Sequence, residues 1–402
     1  MLKTDANAGP AESGLRPIVK PGGRGHHAPG PGSEERILVL QGGGALGAYQ
    51  AGVYEALSGQ GYEPDWLAGI SIGAINAALI AGNPPERRVE RLREFWLTVT
   101  SGPAPQILFP AGPLRAHVNA GAATMTALFG APGLFAPRLG AAIFQPHGGI
   151  AGLGLYDTAP LRRTLERLVD FERLNGVGSR LSVGAVNVRT GNFAYFDSAR
   201  QRLDPRHIMA SAALPPGFPP VKIDGEYFWD GGLVSNAPLQ YVLDQPGGGQ
   251  RRRLVFQVDL FPARGELPSN LDEVHARAKD IRYSSRTRLN TDQELQLTDI
   301  AQAASRLMAK LPPELLDDPD ARRLAALGGL RDGLDIVHLI YRSSGYESQA
   351  KDYEFSRLSM LEHWEAGRDD GRLTLSDPRW TSRDPSHQGA RVFDLANDVH
   401  PA

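Results

Sequence analysis

The sequence predicts an α/β protein in which a mostly parallel sheet is covered by helices and followed by a mainly helical C-terminal extension. Three observations carry this. Two apolar runs in succession, "RILVL" and "DWLAGI", each end in a glycine turn that opens an alanine-rich helical stretch, and strand–turn–helix units in series build parallel sheets. A later run, "RRLVFQVDLF", has the continuous apolar character of a buried strand. Beyond about Pro268 the pattern turns mostly helical and more charged.

Composition bounds the function. The chain has 402 residues, more than one average domain, with an ordinary globular balance of 41% hydrophobic and 22% charged residues. A net charge of −2 gives no bulk electrostatic reason to expect nucleic acid. The absence of cysteine removes disulfides, thiolate metal sites and a cysteine nucleophile, and it fits a reducing compartment. Residues 1–34 are rich in Gly and Pro and lack an apolar signal core, so they read as a disordered tail. His26 and His27 in that tail are not taken as a metal site. No run reaches the roughly 18 apolar residues of a spanning helix. The expectation is a cytoplasmic protein that is soluble or at most peripheral at a membrane.

The elements follow in order. Residues 35–267 form the expected catalytic domain, opening with "RILVL" and the turn "QGGGALG" before a helix. The second strand, "DWLAGI", leads into Ser71 and a helix ending by Gly82. Residues 95–156 carry no Asp or Glu, and only Arg115 and Arg138 carry fixed charge. That stretch is an insertion packed on the core, and its length and apolarity also suit a lid or lipid-facing surface. A helix at "APLRRTLERLVDFERL" precedes two hairpins, one around "TGN" and one at Asp224-Gly225. In residues 268–402, "TDIAQAASRLMAKL" and "KDYEFSRLSMLEHWEAG" are amphipathic helix candidates, the second stopped by Gly367. They are expected to pack against the sheet, with membrane-surface binding as the alternative. "DIVHLIYRSS" reads as a strand and "SDPRWTSRDPSHQG" as a loose terminus.

The chemistry centres on Gly69-Ile70-Ser71-Ile72-Gly73, a G-x-S-x-G pattern between a strand and a helix. A serine on such a sharp turn needs small neighbours two positions away, and both are glycine. The helix that follows aims amides and a positive dipole end at it. The competing reading makes Ser71 a helix N-cap. The first turn, Gly42 to Gly47, also satisfies the dinucleotide pattern G-x-G-x-x-G. However, Glu63 and Asp65 precede the second strand instead of ending it, which argues against a ribose site. For acyl transfer the turn has a different use, because a tetrahedral oxyanion must be met by backbone N–H groups. Gly42, Gly43 and Gly44 are the expected donors, with Ala45 close behind.

None of the ten histidines sits in a context built for a base. His117 and His147 lie in the apolar insertion, His207 in "PRHIMASAALP" and His363 in a helix, while His338 in its apolar run reads as core. Asp230 fits better. It ends "EYFWD", where Gly231 and Gly232 let the chain turn around an exposed carboxylate; the alternative is an ordinary turn aspartate.

The blocks "GGGALGAYQAGV", "GISIG", "MASAALPPGFPPV" and "DGGLVSNAP", in this order between about Arg36 and Phe261, resemble the patatin-like phospholipases. The resemblance implies a patatin-like three-layer α/β fold in which aspartate activates serine without histidine. By motif position Ser71 is the nucleophile, Asp230 the base, and the Gly42–Gly44 amides the oxyanion hole, while Ala210 to Pro216 shape the pocket wall. The activity implied is cleavage of lipid carboxylic esters, of phospholipase A or lysophospholipase type, with no cofactor or metal and a lipid or ester substrate. Residues 268–402 resemble the extension of a bacterial subgroup. One departure is Leu46, where many relatives carry Arg or Lys, and it weakens any phosphate contact from that position. An aspartate near its reference pKa of about 4 is a poor base, so dipole and amides are expected to supply much of the catalysis. The rivals are an oxidoreductase, a silent scaffold, which would have lost Ser71 or Asp230 although both are present, and a non-phospholipid esterase with a Ser-Asp-His triad that would need one of the ten histidines, such as His338 or His363.

Overall fold

A computed structural model describes residues 34–102, 113–138, 149–150, 153–245, 252–328, 333–343, 347, 349–387 and 389–395. The expected tail, with His26 and His27, and His147 in the insertion lie outside the described residues.

The apolar runs form strands whose alternate residues face two cores. In β1 (Glu35–Leu40), Leu38 and Leu40 join the larger core and Ile37 and Val39 the smaller. The first unit continues through α1 (Gly47–Gly59) to β2 (Trp66–Gly69), and the second through α2 (Ile72–Ala81). Helices α3 (Pro85–Val99) and α4 (Pro113–Phe129) and the two-residue strands β3 (Ala136–Pro137) and β4 (Tyr156–Asp157) come next. The helix expected at "APLRRTLERLVDFERL" is two: α5 (Ala159–Leu168) ends at the extended Val169, and Asp170 caps α6 (Phe171–Asn175) by accepting the Arg173 amide.

The two expected hairpins are β5 (Arg180–Asn187) with β6 (Phe193–Asp197), and β7 (Val221–Ile223) with β8 (Glu226–Asp230), separated by α7 (Pro205–Ser211). Then follow α8 (Leu239–Asp244), β9 (Arg253–Asp259), α9 (Leu271–Met308), α10 (Pro319–Gly328), β10 (Leu334–Ile340), α11 (Arg357–Ser376), α12 (Pro378–Thr381) and β11 (Ala390–Phe393).

Among the described residues these strands build a nine-stranded sheet in the order β11-β10-β9-β1-β2-β5-β8-β7, with β6 also on β5. The run from β11 to β5 is parallel, and β6 and β8 meet β5 antiparallel. Helices α1, α2 and α11 supply the larger core on one face, and α8 covers the other.

The C-terminal extension is mainly helical, yet it does not stand apart. Its strands β10 and β11 extend the same sheet beyond β9, so a boundary at 267/268 runs through one structure. The stretch expected to be a loose terminus instead forms α12, with Trp380 buried, and leads into β11. The amphipathic α11 spends its apolar face on α1, not on a membrane. Gly367, expected to stop that helix, lies in its interior. A Cβ there would run into the Tyr49 carbonyl, and one on Gly52 of α1 would run into that of Trp364. The two glycines let the helix backbones touch. At the other end of the sheet, buried Asp335 of β10 is held by Arg252 (2.5 Å) and by both Nε and Nη2 of Arg391 (2.8 and 2.9 Å). These pairs tie β9, β10 and β11 together.

Replacing Gly367 with leucine is expected to lower the unfolding free energy by about 1–3 kcal/mol, the usual cost of overpacking. Urea unfolding of variant and parent measures it.

Candidate active site

The register of β1 against β2 starts the site. Leu40 pairs with Gly69, so the glycine turn and the serine turn leave the sheet side by side at the carboxyl ends of neighbouring parallel strands. Ser71 has φ 54° and ψ −122°, the left-handed side of the map that non-glycine residues avoid. Its amide donates to both the carbonyl oxygen and the Oγ of buried Ser211, each at 3.1 Å. Ser71 does occupy the N-cap position of α2, but its side chain makes no capping bond. The cap reading therefore does not account for the hydroxyl. Gly69 and Gly73 are required by space: a Cβ on Gly69 would meet the Gly73 carbonyl, and one on Gly73 that of Leu40.

The hydroxyl of Ser71 instead lies beside the carboxyl of Asp230, where it favours the charged form, and both residues line one cavity. Strand pairing explains how a residue so distant in sequence arrives there. Val183 of β5 pairs with Gly69 of β2 and with Phe196 of β6, while Ala185 pairs with Asp230 of β8 and with Ala194 of β6. Since β6 holds one edge of β5, β2 and β8 lie in line along the other. Their carboxyl ends meet two β5 residues apart, roughly 7 Å along a strand.

Asp230 is only 2% exposed. Burial pushes its carboxyl up to about 7, against the Gly232 amide (2.7 Å) and the Ser71 hydroxyl, which both pull it down. The expectation of an ordinary weak base near pKa 4 is thereby corrected: desolvation raises its basicity into the range useful at neutral pH. Gly231 is buried behind it, and Gly232 provides the orienting amide.

The glycine turn divides unequally. The Gly42 amide donates to the Asn236 carbonyl at 3.0 Å and is therefore spent, which removes it from the expected oxyanion donors. The amides of Gly43 and Gly44 have no acceptor among the described residues, and both glycines line the cavity that contains Ser71 and Asp230. Ala45 is buried and outside that lining. Three residues not singled out from sequence complete the frame. Asn236 donates its Nδ2 back to the Gly42 carbonyl at 2.9 Å. Gln41 accepts the Leu260 amide at 2.6 Å and donates to the Tyr283 carbonyl, tying the turn to β9 and α9. Ile72 opens α2 with an amide that has no acceptor among the described residues, and it also lines the cavity. A polar glutamine directly after the apolar run "RILVL" is the one sequence signal for this frame.

The cavity measures about 510 Å³, within the usual size for small-molecule sites, and is mostly apolar. Ala212, Leu214, Pro215 and Pro216 form one wall, as the resemblance implied. Phe135 and Tyr156, from the insertion, meet each other and Phe218 on another, in edge-to-face and tilted contacts with ring separations of 4.8 to 5.9 Å. Tyr283, Asp352, Tyr353 and Phe355 come from the C-terminal extension. Among the described residues no histidine lines it. His363 Nε2 lies 2.9 Å from Glu347 beside a separate cavity of about 10 Å³, and His338 Nδ1 lies 3.8 Å from Asp259.

The model described as patatin-like phospholipase matches residues 38–243, just over half of the 402-residue chain, and one described as patatin phospholipase matches 281–387. The chain belongs to the patatin-like phospholipase family, whose members are lipid-acting hydrolases. Among solved structures it is similar to VipD from Legionella pneumophila, with 15% identity and a TM-score of 0.35 over 84% of this chain and 66% of that one. It is also similar to the type III effector ExoU, with 14% identity and a TM-score of 0.30 over 84% and 52%. The ExoU–SpcU complex of Pseudomonas aeruginosa matches at 20% identity and a TM-score of 0.27 over 73% and 60%. The chain thus spans between about half and two thirds of those chains. No curated protein matches it.

The buried carboxyl has a stability consequence. Its pKa is higher folded, about 7, than unfolded, near 4. The folded chain therefore keeps a proton that the unfolded chain has lost, and stability falls as pH rises through that window. Asp230→Asn is expected to be more stable than the parent, with the gap widening by ~2–3 kcal/mol between about pH 5 and 8. Urea unfolding of both at the two pH values checks the sign.

Proposed function

We propose that the chain is a serine acyl hydrolase that cuts lipid carboxylic esters, the bond type of a phospholipase A or lysophospholipase, with Ser71 as nucleophile and Asp230 as base. The observation that carries it is the meeting, in one cavity, of the strained Ser71 and a buried Asp230 whose carboxyl burial pushes up to about 7. As Ser71 Oγ bonds the ester carbon, its proton passes to Asp230, and the carbonyl oxygen gathers charge against the Gly43 and Gly44 amides. Collapse breaks the carbon–oxygen bond to the leaving alcohol, which takes the proton from Asp230. A water then attacks the acyl-serine, giving its proton to Asp230, and the acid leaves as Ser71 regains its hydrogen.

The triad alternative has less support, because His338 and His363 are engaged elsewhere and no described lining residue is a histidine. No helix among the described residues is long and apolar enough to cross a membrane. Leu128 and Phe129, 60% and 57% exposed and next in chain to lining residues, support peripheral contact with a lipid aggregate. The insertion's share in the cavity wall supports a lid role for residues 95–156.

Hydrolysis of a p-nitrophenyl acyl ester tests the assignment. Ser71→Ala is expected to fall to background and Asp230→Asn to lose roughly 10²–10⁴-fold in turnover, the usual share of a general base. His338→Ala and His363→Ala are expected to keep turnover of the parent's order. An inactive, folded histidine variant would restore the triad.

A further inference from the structure

We infer that Lys279, Asp280 and Lys351, none of them in the cavity lining, are positioning residues for the oxyanion turn. Through two crossed ion pairs they hold the strap Lys351–Tyr353 against Gly44 and so aim its amide. The inference rests on Ser71 as nucleophile and on Gly43 and Gly44 as oxyanion donors, and it concerns what keeps those donors in place. An amide serves an oxyanion best when it is aimed before the reaction starts. A run of three glycines has little stiffness of its own, so the geometry of the turn has to come from its neighbours.

Gly42 and Gly43 are held from within the catalytic region. Gly42 exchanges hydrogen bonds with Asn236, and a Cβ on Gly43 would lie 2.6 Å from Leu260 Cδ1. Gly44 is held from the C-terminal extension. Its φ of 55° is in the left-handed region, and the Asp352 carbonyl oxygen occupies the place where a side chain would begin. That carbonyl takes no hydrogen bond from the Gly44 amide. The contact therefore fixes the turn without occupying the donor.

Two consecutive residues of α9 hold two consecutive residues of the strap. Lys279 Nζ donates to Asp352 Oδ1 at 2.5 Å, and Lys351 Nζ donates to Asp280 Oδ1 at 2.9 Å, so the signs cross. A strap shifted by one residue would set Asp352 against Asp280 and lose both pairs. Lys279 also donates to the Gln349 carbonyl at 3.1 Å, and Lys351 to Ser343 Oγ at 2.6 Å. Asp280 and Lys351 are both buried. A buried ion pair adds little net stability against its desolvation, and its best-attested use is to fix one register. One turn further along α9 the Tyr283 carbonyl accepts from Gln41, the residue before the glycines, at 2.9 Å. Helix, strap and glycine turn thus form a closed ring of contacts.

The test follows hydrolysis of a soluble p-nitrophenyl ester by the full-length parent, Lys351→Met, Lys279→Met and Lys279→Arg, together with inhibition by a trifluoromethyl ketone of matching chain length. In the inhibited form Ser71 Oγ bonds the ketone carbon, its proton passes to Asp230, and the former carbonyl oxygen carries the charge at the glycine amides. Loss of a whole oxyanion donor costs roughly 10²–10³-fold in kcat, and a loosened one costs less. The expected kcat is therefore ~10–100-fold down in Lys351→Met and several-fold down in Lys279→Met, with KM within about 3-fold of the parent. Inhibitor affinity is expected to fall by the same factor as kcat/KM, and Lys279→Arg, which keeps the charge, to stay within about 2-fold of the parent. Urea unfolding shows which variants are folded; should Lys351→Met not fold, Lys279→Met, whose pair is part-exposed, decides. A folded methionine variant with the parent's kcat overturns the inference. So does a loss that falls on KM, one that inhibitor affinity does not follow, or one that Lys279→Arg shares in full. Failure of the underlying mechanism looks different: the parent then leaves the ester untouched, or Ser71→Ala still cleaves it.

Discussion

Strand β5 carries β2 and β8 in line along one edge, and every other feature of the site depends on that shared edge. One strand arrives parallel and the other antiparallel, so both carboxyl ends point into the same gap. The serine turn leaves β2 and Asp230 ends β8, and the two residues come to line one cavity. Neighbouring β1 then delivers the glycine turn beside the serine, in register at Leu40 and Gly69. Three chain segments far apart in sequence are thereby placed by backbone pairing alone, before any side chain contributes. Rigid elements are what such geometry needs, since a slack of an ångström at a reacting centre is costly.

Burial is the second constraint, and it acts in two directions. It raises the basicity of Asp230 toward neutrality, and it makes the ionised form a liability to the fold. The surrounding hydrogen bonds reduce that liability without removing it. Ser71 is similar, because its left-handed backbone is tolerated only with Ser211 holding its amide and α2 holding its carbonyl. Strain and desolvation are concentrated at one point in a sheet otherwise packed with apolar strands, the combination expected where a fold gives up stability for chemistry. The C-terminal extension belongs to this support: it continues the sheet through β10 and β11, packs α11 onto α1, and closes the cavity with Asp352, Tyr353 and Phe355.

How much of this was legible depended on range in sequence. The elbow glycines, both hairpins and the apolar β9 are local patterns, and each reads correctly because sterics and alternation act over a few residues. Asp230 stood out as a candidate base from its strand-end Asp-Gly-Gly turn, but only the resemblance paired it with Ser71 over the turn-aspartate alternative, since nothing in spacing says that two strands will share an edge. Gly367 was misread as a helix stop because glycine has the same letter whether it ends a helix or lets another helix approach; only α1 decides between them. The last strand and α12 were hidden for a related reason. "SDPRWTSRDPSHQG" is polar and proline-rich, while Trp380 and the arginines around Asp335 take their meaning from distant partners. The spent amide of Gly42 and the raised pKa of Asp230 are likewise products of tertiary contact, invisible in composition.

The most direct test of the central claim is the rate of covalent modification of Ser71 by a fluorophosphonate, followed by peptide mapping across pH, in parent and Asp230→Asn. If the buried carboxylate activates Ser71, labelling of the parent rises through an apparent pKa near 7, while the asparagine variant is slow and flat. Labelling of the parent with no titration near neutrality, or the same titration in the variant, would show that another group activates the serine and contradict the account.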